Sequence, residues 1–230
     1  MKKNNKIVLL FPDGVGIRNY FYSDVFKGME KQLVLFHAFD AKTEQAVKDI
    51  TAIQNTLSIP KYTESLTEKF LRELICLARL KHNAKLVNNP SILTNWKSNH
   101  KGIFKILFYK CIEIASHLFT SYERILKLEK WYQKAIRNTK FYKEVREILV
   151  VNSSEKLFCS HQRGVQCAPI FAAAQDLGIE TITVIYSWDN LPKARMALQA
   201  DKYLVWSDYM QQELKLYYPE IKEQQIFVTG

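Results

Sequence analysis

The chain has 230 residues, 47% of them hydrophobic and 24% charged, with only 7 Gly and 6 Pro. That composition excludes a disordered chain, a collagen-like repeat and a Gly/Ser linker, and the length suits one large domain that buries its core without disulfide or metal staples. Lys and Arg number 33 against 23 Asp and Glu, a net charge of +10 that points to an anionic partner: nucleic acid, a phosphorylated substrate or inner-leaflet lipid.

Lys2, Lys3 and Lys6 precede an apolar run, but that run spans only Ile7 to Phe11 before Pro12 and Asp13. An export signal needs about 7–15 apolar residues, so the run reads as a buried first strand. No stretch reaches the roughly 18 uncharged apolar residues of a membrane span, and the expected compartment is the cytoplasm. Cys76, Cys111, Cys159 and Cys167 show no CxxC spacing and read as reduced, packed thiols.

The first strand leads through Pro12-Asp13-Gly14-Val15-Gly16 into a helix from near Asn19, and Gln32–Ala38 is the second strand. Thr43 is placed to cap a helix carrying Ala46, Val47, Ile50, Ile53 and Leu57 at helical spacing. Ser65-Leu66-Thr67-Glu68 spells a capping box, in which hydroxyl and carboxylate each satisfy a free amide of the first turn. Leu66, Phe70, Leu74, Leu77 and Ala78 then line one face. After Asn88-Asn89-Pro90, an interrupted helical stretch covers residues 102–150. Within Ile103–Phe119 the residues Lys105, Tyr109, Glu113 and His117, with Lys110 and Ser116, share an arc of roughly 140°, and the rest of that cylinder is apolar. Farther on, Trp131, Lys134, Arg137, Lys140, Phe141, Tyr142, Lys143 and Arg146 interleave cations with aromatics. Residues 97–147 hold 12 Lys and Arg against 5 Asp and Glu, so most of the net charge is local.

From Lys156 the α/β rhythm returns. Leu157–Ser160 is a strand, and a helix from Gln166 ends at Gly178 with Pro169 in its first turn. Glu180–Tyr186 and Lys202–Trp206 are strands, Ser207 caps a helix that Pro219 stops, and Gln225–Gly230 is a last strand. Strands separated by helices predict an α/β fold: a parallel, doubly wound sheet with helices on both faces, here with a helical insertion at residues 62–150. The last strand has no return helix, which suggests a polypeptide that continues.

Four clusters fall at strand ends, where open α/β sheets place ligands. Asp13, Gly14, Gly16 and Arg18 form a turn whose amides can face an anion, with Arg18 adding a charged fork. The pattern is GxGxxN, so the third glycine of a dinucleotide fingerprint is missing, and Asp40 near the second strand is no convincing ribose ligand. His161 and Arg163 offer a base and a phosphate fork, or a hydrogen-bonded loop. Trp188, Asp189, Asn190, Lys193 and Arg195 crowd an aromatic, a carboxylate, an amide and two cations into one loop; Asp189 is a base, a sugar-hydroxyl acceptor, or simply the partner of Lys193. Trp206-Ser207-Asp208 reads as a helix cap. The basic segment reads as a solvated face, as a nucleic-acid surface without a recognisable module, or as an interfacial helix suited to anionic lipid.

Tyr186-Ser187-Trp188-Asp189-Asn190-Leu191-Pro192-Lys193-Ala194-Arg195, with Tyr203-Leu204-Val205-Trp206-Ser207-Asp208-Tyr209-Met210 and the ending Ile226-Phe227-Val228-Thr229-Gly230, resembles bacterial surface-polysaccharide glycosyltransferase-like proteins of GT-B architecture. These are similar in style to nucleotide-sugar 2-epimerases and to teichoic-acid glycerophosphotransferases. The likeness covers residues 5–40 and 155–230 and leaves the helical middle unmatched. It implies a Rossmann-like N-terminal, acceptor-side domain at residues 1–230, with most nucleotide-sugar contacts in a C-terminal domain that this chain lacks. It further implies a nucleotide-sugar donor as substrate, no cofactor and no metal, and a glycan or lipid-linked acceptor. His161 or Asp189 would be the base, and Arg18, Arg163, Lys193 and Arg195 would hold phosphates. Nucleic acid is not an expected partner; the inner face of the cell membrane, met through residues 103–146, is. The alternatives are a non-catalytic membrane or nucleic-acid module and glycerophosphate transfer on the same architecture.

Overall fold

Ile7 to Phe11 are apolar without a break, and a strand so composed is stable only when both of its faces are covered. In the computed structural model, which describes residues 6–14, 16–96, 101–196 and 199–230, this run is β1 (Lys6–Phe11), in the middle of a sheet whose strands all run parallel. Lys2, Lys3, Val15 and Lys97 lie outside the described residues. Beside β1 stand β2 (Leu33–His37), β3 (Thr56–Ser58), β4 (Ser154–Cys159), β5 (Glu180–Val184), β6 (Lys202–Val205) and β7 (Ile226–Val228), in the order β3-β2-β1-β4-β5-β6-β7. This is a Rossmann-like α/β fold.

Side chains alternate across the sheet as the pleat requires. Leu9, Phe11, Leu33 and Leu35 face one side, where Phe21 of α1 (Ile17–Phe21) and Val47 of α2 (Ala41–Ile50) cover them. Val8, Leu10, Val34, Phe36, Leu157 and Cys159 face the other. That side receives α3 (Leu66–Leu86), α5 (Tyr122–Arg137), α6 (Lys140–Val151), α7 (Cys167–Asp176) and α8 (Asp208–Tyr217). The helices α3, α4 (Ile103–Ser116), α5 and α6 all lie between β3 and β4, where the sequence placed an insertion. None is long and apolar enough to cross a membrane among the described residues.

Several local expectations need correction. Asp40, not Thr43, caps α2: its carboxylate accepts the Thr43 amide at 2.7 Å. The helix stops at Ile50, Ile53 is buried in the loop, and Leu57 belongs to β3. A three-residue strand shows too little alternation to be read, so Leu57 matched a helical spacing by coincidence. The Ser65–Glu68 capping box is present, but Leu66 in the first helical turn is exposed because burial along that face begins farther on. Gly178 adopts φ 69° and Pro169 sits in the first turn of α7, as expected. All four cysteines are free thiols, yet Cys111 is exposed, not packed.

The largest surprise is the orientation of α4. Its polar arc is divided: Ser116 is buried and accepts from Lys81 Nζ at 2.7 Å, and Glu113 accepts from Trp96 Nε1 at 3.3 Å, while Lys105, Lys110 and His117 are exposed. The apolar residues are divided too: Ile112 is buried in the core with Phe108 and Ala115 packed against it, whereas Ile103 is 72% and Phe104 86% exposed, with Leu107, Ile114 and Leu118 exposed beside them.

The layer over the sheet also buries charge. Arg79 of α3 is 2% exposed, donates through Nε to Glu129 at 2.8 Å, reaches Glu220 at 3.2 Å, and lies 4.3 Å from the Tyr218 ring centroid. Removing one member of such a group leaves its partner desolvated without compensation. Arg79→Met should therefore lower stability by about 3 kcal/mol in urea unfolding, and Arg79→Met with Glu129→Gln should be less destabilised than the single variant.

Candidate functional site

The order β2-β1-β4-β5 reverses direction between β1 and β4, and this is where a doubly wound sheet opens a crevice at the carboxyl ends of its strands. The pairing of β1 with β4 sets Leu9 against Phe158 and Leu10 against Cys159. The two loops that follow, Pro12–Gly16 and Ser160–Gln166, must then touch. Gln166 Nε2 donates to the Pro12 carbonyl at 2.7 Å, and Ser160 N donates to Leu10 O at 3.2 Å. Glycines make the approach feasible. Gly16 has φ 93°, and a Cβ there would stand 3.1 Å from Ser160 Cβ; a Cβ on Gly164 would stand 3.0 Å from Pro12. Gly14 shows no such demand, its nearest contact being an ordinary 3.9 Å.

At this junction His161 Nδ1 lies 2.6 Å from Asp13 Oδ2. A carboxylate only accepts, so the shared proton belongs to Nδ1, which leaves Nε2 as the basic nitrogen. Tyr186, two residues beyond β5, brings its hydroxyl to 3.3 Å from Nε2, with the two rings edge to face at 5.0 Å. Arg163 Nη1 donates to Asn190 Oδ1 at 2.8 Å, and Asn190 is itself buried. Residues from three separated loops thus meet in two sets of contacts, Asp13–His161–Tyr186 and Arg163–Asn190, both built on the loop after β4.

Other residues expected at the site lie differently. Asp189 accepts from Lys193 and from Ser187 Oγ, and the Lys193 hydrogen bond holds its carboxyl below the ordinary range. It is charged and occupied. Arg195 turns toward Glu73 of α3 at 3.4 Å. Trp188 is 67% exposed, and Arg18 is exposed at the start of α1. Ser207 caps α8, accepting the Met210 amide at 3.2 Å. Among the described residues no group of three or more His, Cys, Asp or Glu side chains is placed to hold a metal.

Sequence reasoning passed over Tyr186 and Gln166 as functional residues. Their only signal was position, just past a strand in one case and at the foot of a helix in the other. Compared with known proteins, no family model, curated protein or solved structure matches the chain.

The close approach at Gly16 sets a test that separates conformation from contact. Gly16 and Gly28 both have positive φ, but nothing lies within 4 Å of a Cβ at Gly28. Gly28→Ala should cost about 1 kcal/mol, the left-handed penalty alone. Gly16→Ala should cost more, because β1 and β4 loops must also separate; chemical denaturation of the two variants measures the difference.

Proposed function

We propose that this chain is the acceptor-binding domain of a GT-B-type glycosyltransferase that uses a nucleotide-sugar donor in cell-surface polysaccharide synthesis. The observation that carries this reading is the Asp13–His161 pair at the crevice between β1 and β4, with a half-buried Arg163–Asn190 contact beside it. In the proposed reaction His161 Nε2 takes the proton of an acceptor hydroxyl as its oxygen bonds to the sugar anomeric carbon. The bond from that carbon to the diphosphate breaks, and the nucleoside diphosphate leaves with the electron pair. Asp13 fixes the imidazole tautomer and stabilises the imidazolium that forms. Tyr186 occupies the position an acceptor hydroxyl would take, so it yields to or donates to the bound acceptor.

The same geometry favours His161 over Asp189 as the base. A general base works best with a pKa near the operating pH, and Asp189 is held in the opposite direction by Lys193. In the polypeptide carrying this domain, His161→Ala should lower nucleoside diphosphate release from the donor by about 100-fold or more, and Asp13→Asn by a smaller factor. Asp189→Asn should leave most of the rate. A full rate in His161→Ala overturns the assignment.

The exposed side of α4 supports a lipid-linked acceptor. At 100° per residue Ile103, Phe104, Leu107, Ile114 and Leu118 fall within an arc of about 100°, a strip roughly 20 Å long. Exposed Lys101, Lys105 and Lys110 flank it, which suits an interfacial helix on an anionic membrane surface. The protein should sediment with vesicles containing phosphatidylglycerol and much less with phosphatidylcholine alone. Phe104→Glu with Leu107→Glu should release it, while exposed Lys134→Gln has little effect; equal binding by the double variant removes α4 from the contact.

A further inference from the structure

A second polar feature lies on the helical side of the crevice. Between α3, α5 and the loops at residues 163–165 and 194–196 there is a cavity of about 180 Å³, with Arg72, Cys76, Tyr132, Arg163 and Arg195 in its wall. Two of the residues in this wall carry a buried atom without a hydrogen-bond partner: Nε of Arg163 and the hydroxyl of Tyr132. Tyr132 as a whole is only 2% exposed. An unmet buried donor costs about 1–3 kcal/mol, so two in one cavity mark a place where an acceptor belongs.

The ion pairs around the cavity are unequal. Arg72 is fully engaged, with Nε and Nη2 on Glu64 at 2.7 and 2.9 Å and Nη1 on Glu73 at 2.7 Å. Glu73 is then shared with Arg195, which reaches it only at 3.4–3.5 Å. Glu129, also in the wall, is bound by Arg79. Arg163 forms no ion pair with a carboxylate among the described residues: its Nη1 donates to the neutral Asn190 oxygen at 2.8 Å, and Asp189, close enough to feel its charge, is bound by Lys193. Three guanidinium groups therefore converge on a cavity where one makes no carboxylate ion pair and another has a weak share of one. Cys76 senses all three: burial pushes its thiol up to about 11, against the downward pull of Arg195, Arg72 and Arg163.

We infer that this cavity is a subsite for an oxyanion, a phosphoryl group or a carboxylate, borne by the acceptor substrate of the transfer proposed above. Its oxygens accept from Arg163 Nε and the Tyr132 hydroxyl and lie against Arg195. A guanidinium fork suits such a planar or tetrahedral anion, and the bond is charge-assisted. The cavity is smaller than the roughly 300–1,000 Å³ of pockets that enclose a drug-sized molecule, so it takes one anionic group with a short stem. Arg163 links the subsite to the candidate base, since it stands two residues after His161 in the same loop. An acceptor anchored here by its anionic group has its position relative to His161 fixed by that loop.

Isothermal titration of the protein with inorganic phosphate, glycerol 3-phosphate and acetate tests the inference. Saturable binding of at least one is expected. Binding of glycerol 3-phosphate well above that of phosphate identifies a substrate-borne group, and the reverse identifies the free anion. Arg163→Gln and the near-isosteric Tyr132→Phe should each weaken binding at least fivefold, while Lys134→Gln on the exposed side of α5 should not. Tyr132→Phe keeps the test open if Arg163→Gln fails to fold. Absence of binding by all three probes, or unchanged affinity in Tyr132→Phe and in a folded Arg163→Gln, overturns the subsite. His161→Ala separates this inference from the transfer reading. Loss of turnover in His161→Ala with anion affinity insensitive to Arg163 sinks the subsite alone. Arg163-dependent binding together with no nucleotide-sugar turnover by the polypeptide that carries this domain alongside a nucleotide-sugar-binding domain sinks the transfer reading and leaves the subsite.

Discussion

The pairing of β1 with β4 is the contact on which the rest depends. More than 140 residues separate Leu10 from Cys159, yet they lie in register on adjacent strands. Chain reversal at this point leaves no strand connection to fill the space above the two carboxyl ends, so the loops after β1 and β4 must close against each other. Gly16 and Gly164 permit that closure, and Gln166 ties it to the Pro12 carbonyl. The Asp13–His161 hydrogen bond is a consequence of this register: shift either strand by one residue and the two side chains part.

The helices between β3 and β4 do more than fill a crossover. They bring Arg72, Arg79, Glu73 and Glu129 over the sheet, where burial makes every unpaired charge expensive. Most of these groups neutralise one another. Arg163, arriving from the sheet side, has a neutral hydrogen-bond partner and no ion pair, so the junction of the two layers is where a guanidinium is least engaged. The same helices place α4 with Ile112 and Ser116 inward. Lys81 binds Ser116 and Trp96 binds Glu113 there, and the apolar residues Ile103, Phe104, Leu107 and Ile114 are left exposed.

Much of the architecture was legible in the residues. The unbroken apolar strands, the Ser65–Glu68 capping box, the left-handed Gly178 and the Ser207 cap each follow from a local rule that the tertiary structure had no reason to override. Where local rules misled, two devices competed for the same amides, as with Asp40 and Thr43, or the element was too short to show a period, as with β3. The direction of α4 could not be read, because apolar residues cover more than half of its cylinder, and only the contacts made by Ile112, Glu113 and Ser116 decide which part of it is buried.

The candidate site divides along the same line. Sequence alone determined that polar clusters follow β1, β4 and β5, since strand ends and loop chemistry are set by neighbours a few residues away. Only the tertiary structure decided which members of those clusters meet: Asp13 with His161, Arg163 with Asn190, Asp189 with Lys193, and Arg195 with Glu73 of a distant helix. The physical reason is that a hydrogen bond depends on ångström-scale placement of both partners, and across a parallel sheet that placement is fixed by strand order and register, to which no local stretch of residues has access.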